Sequence, residues 1–400
     1  MRSWQSPSIP DVPGRGVVPR VHDTATESLQ PAATGPTAAL YVCGITPYDA
    51  THLGHAATYL AYDTLIRCLR DAGVAVAYAQ NTTDVDDPLL ERAHATGVDW
   101  VTLAESQTEL FRRDMAALGI VPPDHYVAVT EVVDRIVSAV QRLADESVAY
   151  RLGGDWYFDS AAAASDLWTL GDESRLDRAQ MLVLSAERGG DPDREGKRDP
   201  LDPLLWRGER EGEPSWDGGS LGAGRPGWHI ECSVIASEFL GVPLDVQGGG
   251  HDLVFPHHEF SAGHTAALDG APLARVFAHA GLLGYRGEKM SKSLGNLVFV
   301  RELLDGGTDP RVIRLALLAH HYRADAEWTD DMLTTAEHRL ADWTARPLGF
   351  GDSGVDELRA ILADDLDTPR ALAFLDGADW TLGLATAVDA LVGIRLDAQE

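Results

Sequence analysis

Residues 41–59, YVCGITPYDATHLGHAATY, bring a cysteine, two glycines and the histidines His52 and His55 into one short stretch. Histidines three apart at a helix start share a face. Both can donate to an anion held by the backbone N–H groups and positive dipole of that first turn. A second basic pair, Lys289 and Lys292 of KMSKS, follows a glycine-containing loop. Ammonium groups so placed can close over a leaving diphosphate and stabilise charge as it develops. Either cluster alone is equally a polar surface loop, and the chemistry resides in their combination. Cys43, Cys232 and His257 are soft ligands that together would give zinc three protein ligands and an open fourth position. Their spacing, 189 and then 25 residues, is not a finger pattern, so buried thiols acting as small hydrophobes and a satisfied histidine are the competing reading.

The elements that must position these groups follow from pattern. Residues 1–37, rich in Pro, Gly and Thr, read as an irregular arm with at most a short edge strand. AALYVCG (38–44), the helical spacing of ATYLAYDTLIRCLRDAG and the strand-like VAVAYAQN form a β-α-β unit, expected to be parallel and right-handed. Cys68, on that helix, reads as core. A mostly helical insertion at about 100–215 follows, with a hairpin turning at Gly153-Gly154, before strand-plus-loop segments return at 244–252 and 275–283. The glycine run of GGGHD reads, by itself, as a tight turn.

The 400 residues suffice for two or three domains, and the composition, 44% hydrophobic and 24% charged, is that of a globular protein. No run is long and apolar enough for a bilayer span, and the N-terminus lacks the apolar core of a signal peptide. With three cysteines and no CxxC, a reducing compartment, the cytoplasm, is expected. The net charge of −29 repels polyanions, so neither nucleic acid nor membrane is an expected partner. No long apolar stripe is left over, which favours a monomer.

HLGH with KMSKS resembles the signature pair of class I aminoacyl-tRNA synthetases. In order, YVCGITPYD, HLGH, NTTDVDD, GRPGWHIECS, GGGHDLVFPHHE and KMSKSLGN look like the catalytic core of cysteinyl-tRNA synthetase over roughly residues 38–300. That resemblance implies an α/β fold, a Rossmann-like parallel sheet at 38–300 interrupted by the helical insertion, with a C-terminal helical bundle at 301–400. It also implies one zinc ion that holds the substrate cysteine as thiolate, a soft-metal preference that rejects serine. Residue by residue it assigns His52, His55, Lys289 and Lys292 to catalysis. ATP and adenylate fall to Gly44, Ile45, Thr46, Thr58, Asn81, Thr82, Thr83, Gly250, His251, Asp252 and Leu283. The cysteine falls to Cys43, Thr46, Thr83 and Trp228, and the metal to Cys43, Cys232 and His257.

Three departures stand out. The synthetases have a glutamate ligand four residues after the metal-binding histidine, where this chain has Ser261; Glu259 lies only two residues on, so either the site has three protein ligands or His258 stands in the place given to His257. After KMSKS only 107 residues remain, acidic and too few for a basic anticodon-reading domain. The loop at 185–207 carries ERGGDP. These features resemble a paralogous family, the ligases that join L-cysteine to glucosaminyl-inositol in mycothiol biosynthesis. The resemblance implies ATP with Mg2+, L-cysteine and glucosaminyl-inositol as substrates, through cysteinyl-adenylate, with release of AMP and diphosphate. A truncated cysteinyl-tRNA synthetase is the alternative, and a non-catalytic adenylate- or zinc-binding protein is a weaker one.

Overall fold

The computed structural model describes residues 1–49, 51–289 and 297–396. Its centre is a five-stranded sheet built from β1 (Thr37–Ile45), β2 (Ala75–Thr82), β3 (His125–Ala128), β4 (Leu244–Gly250) and β5 (Ala274–Ala280). The order is β5-β4-β1-β2-β3 with every pair parallel. Chain progress therefore reverses between β1 and β4, and the crevice at the carboxyl ends of those strands is where such sheets place their ligands. Helix α1 (Leu53–Asp71) covers one face, and α2 (Trp228–Leu240) and α3 (Glu259–Asp269) cover the other. With both faces covered, β1 is a nearly continuous apolar run rather than an alternating one.

The stretch at 100–215 is less helical than its periodicity suggests. Helices Trp100–Ala117, Val133–Asp145 and Arg178–Glu187 are present, yet His125–Ala128 between the first two joins the main sheet beside β2. A separate antiparallel sheet forms from Ala149–Leu152, Asp155–Phe158, Leu204–Gly208 and Gly224–Pro226. Its first hairpin turns at Gly153-Gly154, with Gly153 at φ +63°. In the N-terminal arm, Arg20–Asp23 pairs antiparallel with Ser28–Pro31, and Asp23 accepts from Phe277 N–H (2.8 Å), which fastens the hairpin to β5.

Helices Pro310–Leu318, Asp330–Ala345, Val355–Ala363, Thr368–Gly377 and Leu382–Val392 form the C-terminal bundle. A buried ion triple ties it to α1. Asp63 accepts from Arg67 Nε (2.8 Å) and from Arg314, and Arg314 Nε donates to the Val392 carbonyl (2.7 Å). Burial alone would raise the Asp63 carboxyl, but Arg314 and Arg67 outweigh it and hold it below the usual range. Removing one partner would strand a buried charge, typically costing about 3–5 kcal/mol. No helix among the described residues is long and apolar enough to cross a membrane.

Candidate active site

Near the end of β1, Cys43 points to the α2 side, where Cys232 rises from the first turns of α2. Their sulfurs are 3.7 Å apart, and His257 Nε2 lies 3.1 Å from the Cys232 sulfur. The ligand atoms of Cys43, Cys232 and His257 all lie within 4.8 Å of one another, and all three residues are buried. Burial pushes the Cys43 thiol well up. Burial also opposes ionisation of Cys232, but the S–H of Cys43 and the His257 ring outweigh it and bring that thiol well below its ordinary value. Ionisation is thus favoured at Cys232 over Cys43, and the group can hold a metal ion.

A support layer fixes these ligands. The Trp228 ring stacks on His257 (centroids 4.4 Å apart, 29° between planes), and His229 Nδ1 lies 3.1 Å from His257 Nδ1. His258 borders the cluster on the Cys43 side. Its Nε2 sits 3.3 Å from the Cys43 sulfur and 3.2 Å from Gln247 Nε2, and its Nδ1 sits 2.7 Å from His279 Nε2. Burial depresses both His229 and His258, so they are neutral. Glu259 is committed elsewhere: Trp168 Nε1–H (3.0 Å) and Gly171 N–H (2.9 Å) donate to one oxygen, and Ser174 N–H (2.8 Å) to the other. Ser261 Oγ donates to the His229 carbonyl (3.1 Å). Among the described residues the cluster therefore offers three candidate ligands, Cys43, Cys232 and His257, and neither Glu259 nor Ser261 adds a fourth.

Beside it, β1 and β2 approach unusually closely. The register shifts between Val42 and Ile45, and a Cβ on Gly44 would lie 1.6 Å from the Asn81 carbonyl oxygen, so only glycine fits. Gly44 N–H donates to Asn81 Oδ1 (2.7 Å), Asn81 Nδ2–H to Thr83 Oγ1 (3.1 Å), and Thr83 Oγ1–H to Glu231 Oε2 (3.0 Å). This chain of bonds runs from the strand crevice to the residue preceding Cys232. Thr46 is half-buried nearby in sequence, whereas Ile45 and Thr82 are buried and would offer backbone groups.

His52 caps α1, its Nδ1 accepting from Gly54 N–H (3.1 Å), and its ring stacks on His55 at 3.8 Å. Thr58 Oγ1–H donates to the Gly54 carbonyl (3.2 Å) within the same turn. Backbone bonds Leu53 N–H to Val298 and Val300 N–H to Thr51 join this turn to the segment that follows KMSKS. Lys289 lies on the short strand Glu288–Lys289, paired with Leu283–Tyr285 just beyond β5, while Lys292 lies outside the described residues. KMSKS therefore leaves from a hairpin beyond β5, and the chain returns against the HLGH turn.

At the end of β4, a Cβ on Gly248 would press to 2.5 Å on the Tyr62 ring, and one on Gly250 would meet an Asp252 oxygen at 2.6 Å. Arg188, from the ERGGDP loop, donates to the carbonyls of Asp252 and Phe255 and so clamps this turn. His251 is exposed and Asp252 half-buried, whereas Leu283 is packed in the core and would contribute backbone only.

Residues 30–338 match the family model for the class I (C) tRNA synthetase catalytic domain. The L-cysteine:1D-myo-inositol 2-amino-2-deoxy-alpha-D-glucopyranoside ligase of Cellulomonas flavigena is 56% identical, over 99% of this chain and 100% of its own length. The ligase of the same name from Clavibacter michiganensis is 57% identical, over 99% of both chains. The chain belongs to this ligase family. Among solved structures, Mycobacterium tuberculosis methionyl-tRNA synthetase bound by methionyl-adenylate superposes with a TM-score of 0.60 at 16% identity, over 89% of this chain and 88% of the other. The ternary complex of Agrobacterium radiobacter K84 agnB2 LeuRS also gives 0.60, at 13% identity over 90% and 85%. Both likenesses establish the class I synthetase fold, as the motifs implied.

Against that family background, the structure gathers Cys43, Cys232, His257 and Trp228 into one cluster, and Gly44, Asn81 and Thr83 into the adjoining chain of bonds. Sequence reasoning weighed His258 only as an alternative to His257 and did not single out Gln247, His279, Glu231 or Arg188. The doubled histidine of FPHHE and the charged ERGGDP loop were the available signals. Cys68 is buried on α1, its thiol raised to about 12 by burial, and it plays no part here.

Proposed function

We propose that this protein is an ATP-dependent ligase that activates L-cysteine as cysteinyl-adenylate and transfers it to the amine of glucosaminyl-inositol. The observation that carries the reading is the Cys43–Cys232–His257 cluster beside the Gly44–Asn81–Thr83–Glu231 chain, at the strand ends where a class I sheet holds its adenylate. Near-full-length identity to ligases of that name favours this reading over a truncated tRNA synthetase.

Two buried sulfurs and a buried imidazole form a soft donor set that suits zinc. Zinc held there would bind the substrate's sulfur as thiolate and so separate cysteine from serine. Trp228 and Thr83 would wall the cysteine, and Thr83, fixed by Glu231, would orient it. A carboxylate oxygen of cysteine then attacks the α-phosphorus of ATP, the bond to the bridging oxygen breaks, and diphosphate leaves with Mg2+. His52 and His55, with Lys289 and Lys292, would neutralise the charge that develops on the phosphates. The acceptor nitrogen next attacks the adenylate carbonyl. The bond from carbonyl carbon to phosphate oxygen breaks, AMP departs, and the nitrogen loses a proton to give the amide. Alignment and charge stabilisation supply the rate without a covalent enzyme intermediate. We place the activity in the cytoplasm, carried by a monomer.

The test is AMP release from ATP and L-cysteine, measured alone, with glucosaminyl-inositol, and with tRNA. The expected result is stimulation by the pseudodisaccharide alone, with a cysteinyl amide as product. Stimulation by tRNA alone would replace this reading with a shortened synthetase.

A further inference from the structure

The reaction needs a place for the acceptor, and the motifs shared with synthetases leave that place unassigned. A cavity of about 600 Å³ opens between helix Trp100–Ala117, the turn at the end of β3 and Trp216 of the loop before Gly224–Pro226. Asp84, Trp100, Glu105, Thr108, Thr130 and Trp216 line it. The two indoles meet edge to face, 6.4 Å apart at 74°. Asp84 is anchored by Thr130, whose N–H (3.0 Å) and Oγ1–H (2.5 Å) both donate to it. Asp84 directly follows Thr83 in the chain, so one wall of the cavity continues the strand end whose threonine hydroxyl bonds Glu231 and Asn81.

Met1, Arg2 and Arg112 also line the cavity, with the Met1 ammonium paired to Glu131 and Arg112 to Glu109, which leaves the indoles, Asp84, Glu105 and the threonine hydroxyls to meet a ligand. Indole rings offer large rigid apolar faces for the C–H surfaces of saturated rings. Carboxylates and threonine hydroxyls accept from ring hydroxyls and attract an ammonium group, whose approach to an indole face is also favourable. The volume falls within the ~300–1,000 Å³ usual for small-molecule sites and has room for two linked six-membered rings. We propose that this cavity binds the acceptor, an amino sugar linked to a cyclitol, and delivers its amine past Thr83 to the activated carbonyl. The inference rests on the ligase reading above and adds the site to it.

The experiment uses the full chain, with Trp216→Ala, Trp216→Phe and Glu105→Gln; Glu105 is exposed, so its substitution leaves the fold intact. Cysteine-dependent ATP–diphosphate exchange, which needs no acceptor, is measured beside AMP release titrated with glucosaminyl-inositol. Exchange should stay within about twofold of wild type. The acceptor KM should rise roughly tenfold in W216A, as for truncation of an aromatic anchor, and severalfold in E105Q, with kcat changed much less. W216F should recover most of the loss. Unchanged acceptor KM in both W216A and E105Q, beside an active wild type, overturns the placement alone. A wild type that exchanges diphosphate but forms no amide overturns the ligase reading and this inference with it.

Discussion

Glu259 offers a sharp separation between a ligand and a scaffold. Counting along the sequence puts it two residues after His257, off the four-residue spacing of the synthetase glutamate, and the structure gives its two oxygens to Trp168, Gly171 and Ser174. In Glu259→Gln, the amide oxygen can replace the oxygen that accepts from Trp168 and Gly171. The new NH2 then faces Ser174 N–H across 2.8 Å, donor against donor. One charge-assisted bond is lost, worth roughly 1.5–3 kcal/mol, and a buried N–H is left unsatisfied, so the net cost should be about 2–4 kcal/mol. For a chain of 400 residues the unfolding entropy makes each kcal/mol worth about 1 °C, and Tm should fall by about 2–5 °C. Burial raises the Glu259 carboxyl, so the melt belongs at pH 8, where the wild-type side chain is more fully ionised than at neutral pH. Zinc per chain, measured by elemental analysis on the same sample, should equal that of wild type. Loss of zinc with an unchanged Tm would refute the assignment and make Glu259 a ligand.

Three further perturbations probe the neighbouring parts. Gly44→Ala must push β1 and β2 apart, because its Cβ would lie 1.6 Å from the Asn81 oxygen; a loss of about 1–3 kcal/mol in denaturant melts is expected, with a larger rise in KM for cysteine than for ATP in diphosphate exchange. Cys232→Ser replaces a soft sulfur donor by a hydroxyl that stays protonated, so bound zinc and cysteine-dependent exchange should fall together while the melt moves little, as expected of a substrate-binding rather than structural metal; one zinc per chain in the variant would defeat the cluster as a metal site. Glu173, pushed up to about 8 by burial and by the Glu259 and Asp23 charges, keeps a proton that the unfolded chain releases above about pH 4.3. Stability should therefore fall as pH rises from about 4.5 to 8 and level off beyond. Glu173→Gln should flatten that slope by up to a few kcal/mol, and identical Tm–pH curves would contradict it.

What could be read in advance tracks the range of the forces involved. The β1-α1-β2 unit announces itself because an apolar run and a helical period are local signals, and the same holds for the hairpin at Gly153-Gly154. His125–Ala128 did not, since four residues between two helices are too few to show a strand period. Cys43, Cys232 and His257 were legible only through the motifs around them, because no spacing rule spans 189 residues. The fate of Glu259 was not legible at all. Its partners lie 85 to 91 positions earlier in a turn, so only the packing of that turn on α3 decides that the carboxylate binds backbone rather than metal.

The adjacency of Cys43 and Gly44 follows from strand geometry. Side chains on β1 alternate, with Leu40 and Val42 in the core beneath α1, and Tyr41 and Cys43 in the core beneath α2 and α3. A sulfur meant for α2 must occupy an odd position, and the next residue is the one where β1 shifts register and meets Asn81 at a distance only glycine permits. The Cys43 carbonyl is held in turn by Tyr59 O–H of α1 (3.1 Å), so the strand end is fixed from both faces. A slip of one residue would send the sulfur to the α1 side and place a side chain against Asn81. The Cys43–Cys232–His257 cluster and the Gly44–Asn81 contact are thus set by a single register, and neither can be repositioned along β1 without losing the other.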